Sequence, residues 1–286
     1  MVKKKEAYAV GIVTYNPDVN RLKDNLEAVL ENDSIDIVVI VDNNSKNRHD
    51  ILELVNDNAN IMFIPLDDNK GIAYALNTIC LQAQARGDKW VLTLDQDSIP
   101  QPHMADELLA FVEEGIGILC PRTEDRNMGS QYTTSTQGCD KIDYVITSGN
   151  LVNVKSWEQV GKFDESLFID GVDFDFCLRL HQFDYTIARI NHLYILHEVG
   201  HGKSIKILNR QISIMNHAPL RLYYIARNYL YIGRKYNKMK HWATEVAKRI
   251  LIVLFFERNR LEKMRYIMRG IKASKWVNWG RKKKNK

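Results

Sequence analysis

The 286-residue chain lacks the features that mark several large protein classes. Its longest uninterrupted apolar run is Ile250-Leu251-Ile252-Val253-Leu254-Phe255-Phe256, far below the roughly 20 residues that span a bilayer. Cysteines are few (Cys80, Cys120, Cys139 and Cys177) and none has C-x-x-C spacing. That argues against a zinc site and a disulfide framework, and it fits core thiols in a reducing compartment. No G-x-G-x-x-G follows the first apolar segment and no Walker sequence occurs, so neither a dinucleotide-type site nor a P-loop is expected. Internal repeats are missing, as is low complexity outside the basic tail. Lys3-Lys4-Lys5 followed by Ala7–Val13 faintly resembles a signal peptide, but the apolar part is short and Tyr15-Asn16-Pro17-Asp18 follows without a small-residue cleavage site. A cytoplasmic first strand is the expectation.

What is present reads as a soluble globular chain, with 45% hydrophobic and 26% charged residues. The net charge of +5 is unevenly spread. Acids dominate the motifs between Asp95 and Asp175, while the last third is basic and ends in Arg281-Lys282-Lys283-Lys284. An anionic membrane or nucleic acid could each attract such a tail.

Apolar runs at Ala7–Thr14, Ile35–Val41, Ile61–Ile64 and Trp90–Leu94 alternate with helical periodicities through Leu22–Leu30, Ile51–Val55 and Ile72–Ala83. Strands apolar on both faces that alternate with helices predict a parallel sheet covered on both sides. Further on, the pattern predicts a helix to about Glu114 and strands at Ile116–Leu119, Ile142–Thr147, Thr186–Ile190 and Tyr194–Leu196, with a loose polar segment from Arg122 to Lys141. Beyond Pro219 the chain reads as helical. The expected organisation is a domain over residues 1–218, in two halves that meet at about residue 100, followed by a helical basic region over 219–286.

In open α/β sheets ligands bind beyond the carboxyl ends of the strands. Here those ends are Thr14-Tyr15-Asn16, Asp42-Asn43-Asn44-Ser45 and Asp95-Gln96-Asp97. If extended geometry persists to Asp97, then Asp95 and Asp97 share a side and Gln96 turns away. Converging carboxylates suit Mg²⁺ or Mn²⁺; two solvated acids in a turn are the plainer alternative. On a helix through Val172–Gln182, the apolar residues centre close to Asp173, while Asp175 and Arg179 lie opposite as an exposed i,i+4 pair. An inward carboxylate needs partners or lines a site. Asp170, just ahead of that helix, could instead be its N-cap.

The ordered set of Gly11-Ile12-Val13-Thr14-Tyr15-Asn16, Val41-Asp42-Asn43-Asn44-Ser45, Asn69-Lys70-Gly71-Ile72-Ala73 with Asn77, Leu94-Asp95-Gln96-Asp97-Ser98, Thr147-Ser148-Gly149-Asn150, and Phe163-Asp164-Glu165 through Phe168-Ile169-Asp170 to Asp173 resembles glycosyltransferase family 2. His197 with Gly200, and Arg227-Asn228, extend the match. The likeness is to inverting enzymes of GT-A fold, and within them to the rhamnosyltransferase-like branch. It implies a Rossmann-like, mostly parallel central sheet flanked by helices, with a helical basic C-terminal extension. Thr14, Tyr15, Asn16, Asp42 and Asn44 would form the nucleotide pocket, with Asn69, Lys70 and Gly71 closing over the base and Asp95 and Gln96 also on the donor. Asp95, Asp97 and His197 would hold Mn²⁺ or Mg²⁺, although a lone histidine after a strand is also a common structural residue. Gly149, Asn150 and Asp170 would face the acceptor. Asp173 would be the general base, but Val172 departs from the family's Glu-Asp pair, which leaves the base open between Asp170 and Asp173.

The resemblance also implies a nucleotide-sugar donor (dTDP-rhamnose), a glycan or lipid-linked oligosaccharide acceptor, and a role in cell-surface polysaccharide synthesis. No nucleic-acid partner is expected. Arg221, Tyr223, Tyr224, Arg227 and Asn228 would face a phosphate or form a basic helix face over the sheet. The stretch from Trp242 to Trp279 mixes apolar, aromatic and basic residues, compatible with an interfacial helix on the inner face of the cytoplasmic membrane, with a packed helix pair, or with a homodimer contact. Alternatives are another UDP- or dTDP-sugar transferase, a sugar nucleotidyltransferase, which Thr14-Tyr15-Asn16-Pro17 does not suit, and a glycan-binding relative without activity.

Overall fold

The computed structural model describes residues 7–32, 34–125, 138–197, 203–207 and 210–277. The chain divides into two compact units, one comprising Met1–Glu165 and Val172–Val199, the other Ser166–Gly171 and Gly200–Lys286.

The first unit begins with β1 (Tyr8–Thr14), α1 (Val19–Leu30), β2 (Ile35–Asp42), α2 (Arg48–Val55), β3 (Ile61–Pro65), α3 (Ile72–Arg86) and β4 (Trp90–Asp95). β5 (Ile99–Pro100), α4 (Met104–Leu109), β6 (Ile116–Asp125), β7 (Cys139–Lys141), β8 (Asn150–Asn153), α5 (Val154–Gln159), α6 (Val172–Gln182) and β9 (Thr186–His197) complete it. The sheet runs β3-β2-β1-β4-β8-β6-β9-β5, with β7 on β9. Pairing is parallel from β3 to β4, as three successive βαβ crossovers require. β8 enters antiparallel between β4 and β6, and β6 and β9 are again parallel. The first four strands agree with the sequence reading to within a residue.

Local chemistry fixes these elements. Asp18 caps α1, accepting from the Asn20 and Arg21 amides at 3.0 and 3.3 Å. α1 then presents Leu22, Leu26 and Val29 to a core that holds Tyr8, Ile12, Ile40 and Trp90. α3 lies so close to β1 that a Cβ on Gly11 would overlap Ile79, so glycine there permits the helix–sheet approach.

Three expectations fail, the second and third for identifiable reasons. The helix predicted to about Glu114 stops at Leu109. Ile142–Thr147 is not a strand. Side chains take its carbonyls instead of a ladder, with Asn150 Nδ2 donating to Ile146 at 2.7 Å and Thr93 Oγ1 to Thr147 at 2.6 Å. Thr186–Ile190 and Tyr194–Leu196 are one continuous strand, because β6 and β7 supply partners on both sides and Asn191 bonds Asp140 at 3.0 Å instead of breaking the run. Most of the loose segment and the Arg281–Lys284 tail lie outside the described residues. Cys80, Cys120 and Cys177 are buried, as core thiols should be, whereas Cys139 is exposed.

The second unit holds a hairpin of β10 (Lys203–Ile207) and β11 (Arg210–Ile214), then α7 (Pro219–Lys235), α8 (Met239–Phe256) and α9 (Arg260–Ala273). Pro219 starts α7, where a missing N–H costs nothing. Leu222, Ile225, Ala226, Val246, Val253 and Ile267 form its core. No helix among the described residues is long and apolar enough to cross a membrane.

Candidate active site at the strand exits

The ends of β1, β2 and β4 are joined by side-chain hydrogen bonds. Asp42, 0% exposed at the end of β2, accepts from Thr14 Oγ1 at 2.9 Å, Ser45 N at 3.0 Å, Ser45 Oγ at 2.5 Å and Arg48 Nε at 3.2 Å. Its carboxylate thus ties the β1 and β2 exits together, and Arg48 supplies the compensating charge. Arg48 Nη2 also reaches Asn44 Oδ1 at 3.3 Å. The Asn16 amide donates to Ser45 Oγ at 2.8 Å, and Asn16 Oδ1 accepts from the Lys46 amide at 2.8 Å. Asn16 and Asn44 both sit at positive φ, 46° and 64°, a conformation asparagine tolerates better than most residues.

Asn43 fastens the next loop. Its Oδ1 accepts from the Lys70 amide at 3.2 Å and its Nδ2 donates to the Gly71 carbonyl at 3.3 Å. Asn69 Oδ1 accepts from the Gly71 amide at 3.0 Å, closing an Asx-type turn at the start of α3. The exposed Lys70 ammonium lies 4.7 Å from the Tyr74 ring centroid.

The β4 exit corrects the alternation argument. The strand ends at Asp95 and turns at once, with the Ser98 amide donating to the Asp95 carbonyl at 3.2 Å. Gln96 is not directed away from the cleft. Its Oε1 accepts from the Tyr15 amide at 2.8 Å and ties the β4 turn to the β1 exit. Asn25, fully buried on α1, donates to the Asp95 and Ser98 carbonyls at 2.9 and 2.6 Å. Ser148 Oγ accepts from the Asp95 amide at 3.0 Å and donates to Ser98 Oγ at 2.8 Å. Gly149, at φ 88°, and the buried Asn150 follow on β8, where the Asn150 carbonyl accepts from Thr93 Oγ1 at 3.2 Å.

Asp95 and Asp97 are both half-buried in this turn. They offer hard oxygen donors, and Mg²⁺-type sites commonly use one or two carboxylates completed by substrate phosphates and water. This donor set fits a divalent cation. His197 is the last residue of β9, opposite Asp125 in register; its side chain lies outside what the structure describes. Among the described residues, the group of three or more potential ligands found close together is His49, Asp50 and Glu53, all exposed and away from this turn in sequence.

On α6 the facing argument is corrected. Asp175 is 0% and Arg179 9% exposed, so they are a buried ion pair, with Nε to Oδ2 at 2.8 Å. Arg179 Nη1 also donates to the Val160 carbonyl at 2.9 Å and to that of Lys162. Asp173 and Phe174 are only half-buried. The helix is covered on both flanks, so its polar side is an interior one. Asp173 lies in the first turn, its Oδ1 accepting from the Phe174 amide at 2.8 Å, where the helix dipole favours an ionised carboxylate. Asn77 secures the chain leading there. Its Nδ2 donates to Phe163 O and Glu165 Oε1 at 3.0 and 2.8 Å, and its Oδ1 accepts from Trp157 Nε1 and the Phe163 amide at 3.1 and 2.9 Å.

Within the second unit, Asp170 is not a helix cap. Its carboxylate meets Arg221, 3.1 Å from Nη2. Burial pushes Asp170 above the usual carboxylate range, and the Arg221 guanidinium partly opposes that shift. Asn228, 0% exposed, donates to the carbonyls of Leu167, Ile169 and Asp170, each at 2.7 Å. Arg227 donates to the Ser166 and Leu167 carbonyls at 2.6 and 3.0 Å and lies 4.8 Å over Tyr224, which stacks on Phe168. This network carries a segment with positive φ at Phe168, Asp170 and Gly171 (62°, 61° and 85°). Arg227 and Asn228 therefore brace that segment.

The model of the family described as glycosyl transferase family 2 matches residues 9–171. The chain belongs to glycosyltransferase family 2. A dTDP-rhamnosyl transferase RfbF of Shigella flexneri is 31% identical over 244 residues, 80% of each chain, which makes this a family 2 glycosyltransferase of the rhamnosyltransferase-like kind. Its GT-A fold is shared with the mannosyltransferase PcManGT of Pyrobaculum calidifontis in complex with GDP-Man and Mn²⁺, at TM-score 0.62 and 11% identity over 97% of this chain and 77% of that one. S. aureus TarS 1–349 in complex with UDP-GlcNAc matches at TM-score 0.59 and 16% identity, over 94% and 80%. Measured against the family motifs, sequence reading left out Asn25, Arg48 and the structural role of Asn77. Asn25 carried a signal, since it interrupts the Leu22, Leu26, Val29 stripe as a polar residue on an apolar helix face.

Proposed function

We propose that this glycosyltransferase moves L-rhamnose from dTDP-rhamnose onto a hydroxyl of a glycan acceptor, with inversion, in cell-surface polysaccharide synthesis. The observation that carries the reading is the polar crevice tied across the β1, β2 and β4 exits, in a chain that matches a dTDP-rhamnosyl transferase over four-fifths of its length. The nucleotide is held by Thr14, Tyr15, Asn16, Asn44 and the Asn69-Lys70-Gly71 loop. Asp42 fixes their geometry from below, and residues up to about 100 form the donor half.

The reaction is a single in-line displacement at the anomeric carbon. The acceptor hydroxyl is a poor nucleophile, so Asp173 takes its proton as it attacks, a contribution of about 10²–10⁴-fold. Gly149 and Asn150 position the acceptor, and Asp170 has its acceptor role by family resemblance. Asp95 and Asp97, with His197, would hold Mn²⁺ or Mg²⁺. When bound, such a cation supplies Lewis-acid stabilisation of the leaving group. Gln96 keeps the turn carrying these acids docked to Tyr15.

The acceptor proposed is lipid-linked, and the enzyme works peripherally at the inner face of the cytoplasmic membrane. The structures holding GDP-Man with Mn²⁺ and UDP-GlcNAc set the competing donors. A thermal-shift panel of dTDP-rhamnose, UDP-sugars and GDP-sugars, each with and without Mn²⁺, tests the assignment because a ligand stabilises in proportion to its affinity. Stabilisation by a UDP- or GDP-sugar and not by dTDP-rhamnose would reassign the donor.

A further inference from the structure

The helices of the second unit satisfy their inner faces and leave an apolar surplus outside. Val246 and Val253 of α8 and Ile267 of α9 close a buried cluster with Leu222, Ile225 and Ala226 of α7. On the opposite side of α8, Leu251, Leu254 and Phe255 follow at i, i+3 and i+4, and Phe255 is 65% exposed. The short turn Glu257–Asn259 leads to α9, whose Leu261 is 80% exposed. Leu261, Arg265, Met268 and Lys272 then recur on one outward face of α9, and Trp276, 78% exposed, follows it. Scattered exposed apolar residues need no explanation, but stripes on two consecutive helices mark an interaction surface.

Charge selects the occupant. Arg258, Arg265, Arg269, Lys272 and Lys275 are all exposed along or beside these stripes, with Glu262 the acid on α9. A second copy docking isologously would bring these cations against their own kind. Nucleic acid would answer the charge and leave Leu254, Phe255 and Leu261 in water. A surface of anionic lipid answers both, taking the apolar side chains into the headgroup boundary and the cations to the phosphates.

We propose that the outward face of α8 and α9, from Leu251 to Trp276, docks in the plane of an anionic lipid bilayer. This deepens the membrane-side reading given above and rests on it, while the surface itself does not depend on the sugar transferred.

The test is cosedimentation of the full-length protein with phosphatidylcholine vesicles that contain or lack phosphatidylglycerol. Binding should require the anionic lipid and weaken with salt. Two double variants, Phe255→Ser with Leu261→Ser and Arg265→Glu with Arg269→Glu, should each lower partitioning at least about tenfold. Neither should alter the melting temperature or transfer to a water-soluble acceptor. Undiminished binding in both variants overturns the proposal. So does loss of binding when only Arg281–Lys284 is changed to alanine, or light scattering that shows a dimer broken by the same variants. Retention on nucleic acid in place of vesicles also overturns it. A protein that partitions yet transfers no sugar would leave the surface standing and sink the catalytic reading instead.

Discussion

Arg221 grips Asp170 in a fork. Its Nε lies 3.3 and 3.1 Å from the two carboxylate oxygens, and its Nη2 lies 3.1 Å from the first. Both oxygens of Asp170 are therefore engaged by a guanidinium, a planar and permanently charged partner. A carboxylate held this way is fixed in direction and suited to orient or bind a ligand. Asp173 lies at the dipole-positive end of α6, where its Oδ1 accepts from the Phe174 amide at 2.8 Å.

Kinetics should separate the two acids. Asp173→Asn should lower kcat by about 10²–10⁴-fold while leaving the donor dissociation constant unchanged. Asp170→Asn should act mainly on the acceptor KM. Steady-state kinetics with both variants decide between them, and a D170N enzyme as slow as D173N would transfer the base to Asp170.

Removal of divalent metal by EDTA should abolish turnover and weaken nucleotide-sugar binding, with Mn²⁺ or Mg²⁺ restoring both. The half-buried carboxylates of Asp95 and Asp97 motivate this expectation, because without a cation they would face the diphosphate as like charges. Full activity in EDTA would contradict the assignment of both acids.

Asn77→Ala should destabilise the fold by roughly 2–6 kcal/mol, since two buried donors lose their acceptor at about 1–3 kcal/mol each. The donors are Trp157 Nε1 and the Phe163 amide. Chemical denaturation reads this directly. A loss below about 0.5 kcal/mol would show that water replaces the amide at no cost.

A stability effect also follows from Asp88, buried at the entry to β4. Burial and the Asp36 carboxylate push it up to about 6. Because the folded value lies above the unfolded one, the ionised group costs stability at neutral pH. The cost is relieved as pH falls below about 6. Asp88→Asn should therefore raise the melting temperature at pH 7.5, by about 2 °C or more, with the difference fading near pH 4. A pH-independent gain would point to packing instead of charge.

The β1–β4 region was legible because its strands are apolar on both faces and its exits are polar, two signals that need no tertiary context. What could not be read was where polar side chains point. Gln96 was expected to face away because alternation assumes extended backbone, and the backbone turns one residue earlier, under the hold of Asn25. Asp175 and Arg179 fit an exposed pair by angular spacing, but the Val160 carbonyl that captures the guanidinium comes from a distant loop. Helical periodicity identifies an apolar side; it does not say whether the polar side meets water or the rest of the protein. Asp170 likewise had a local explanation as a cap, and its true partner lies 51 residues away.

That distance has a consequence for synthesis. The segment Ser166–Gly171 leaves the ribosome well before Arg221 and Asn228, which lie 51 and 58 residues beyond Asp170. The β1–β4 region can close early, since its βαβ crossovers join neighbouring stretches, whereas the acid loop must wait for α7. A nascent chain would thus complete the polar crevice at the β1, β2 and β4 exits before the loop bearing Asp170 has its fixed path. Competence to transfer sugar would then be the last property the growing chain acquires, and an unfinished one could bind donor without spending it.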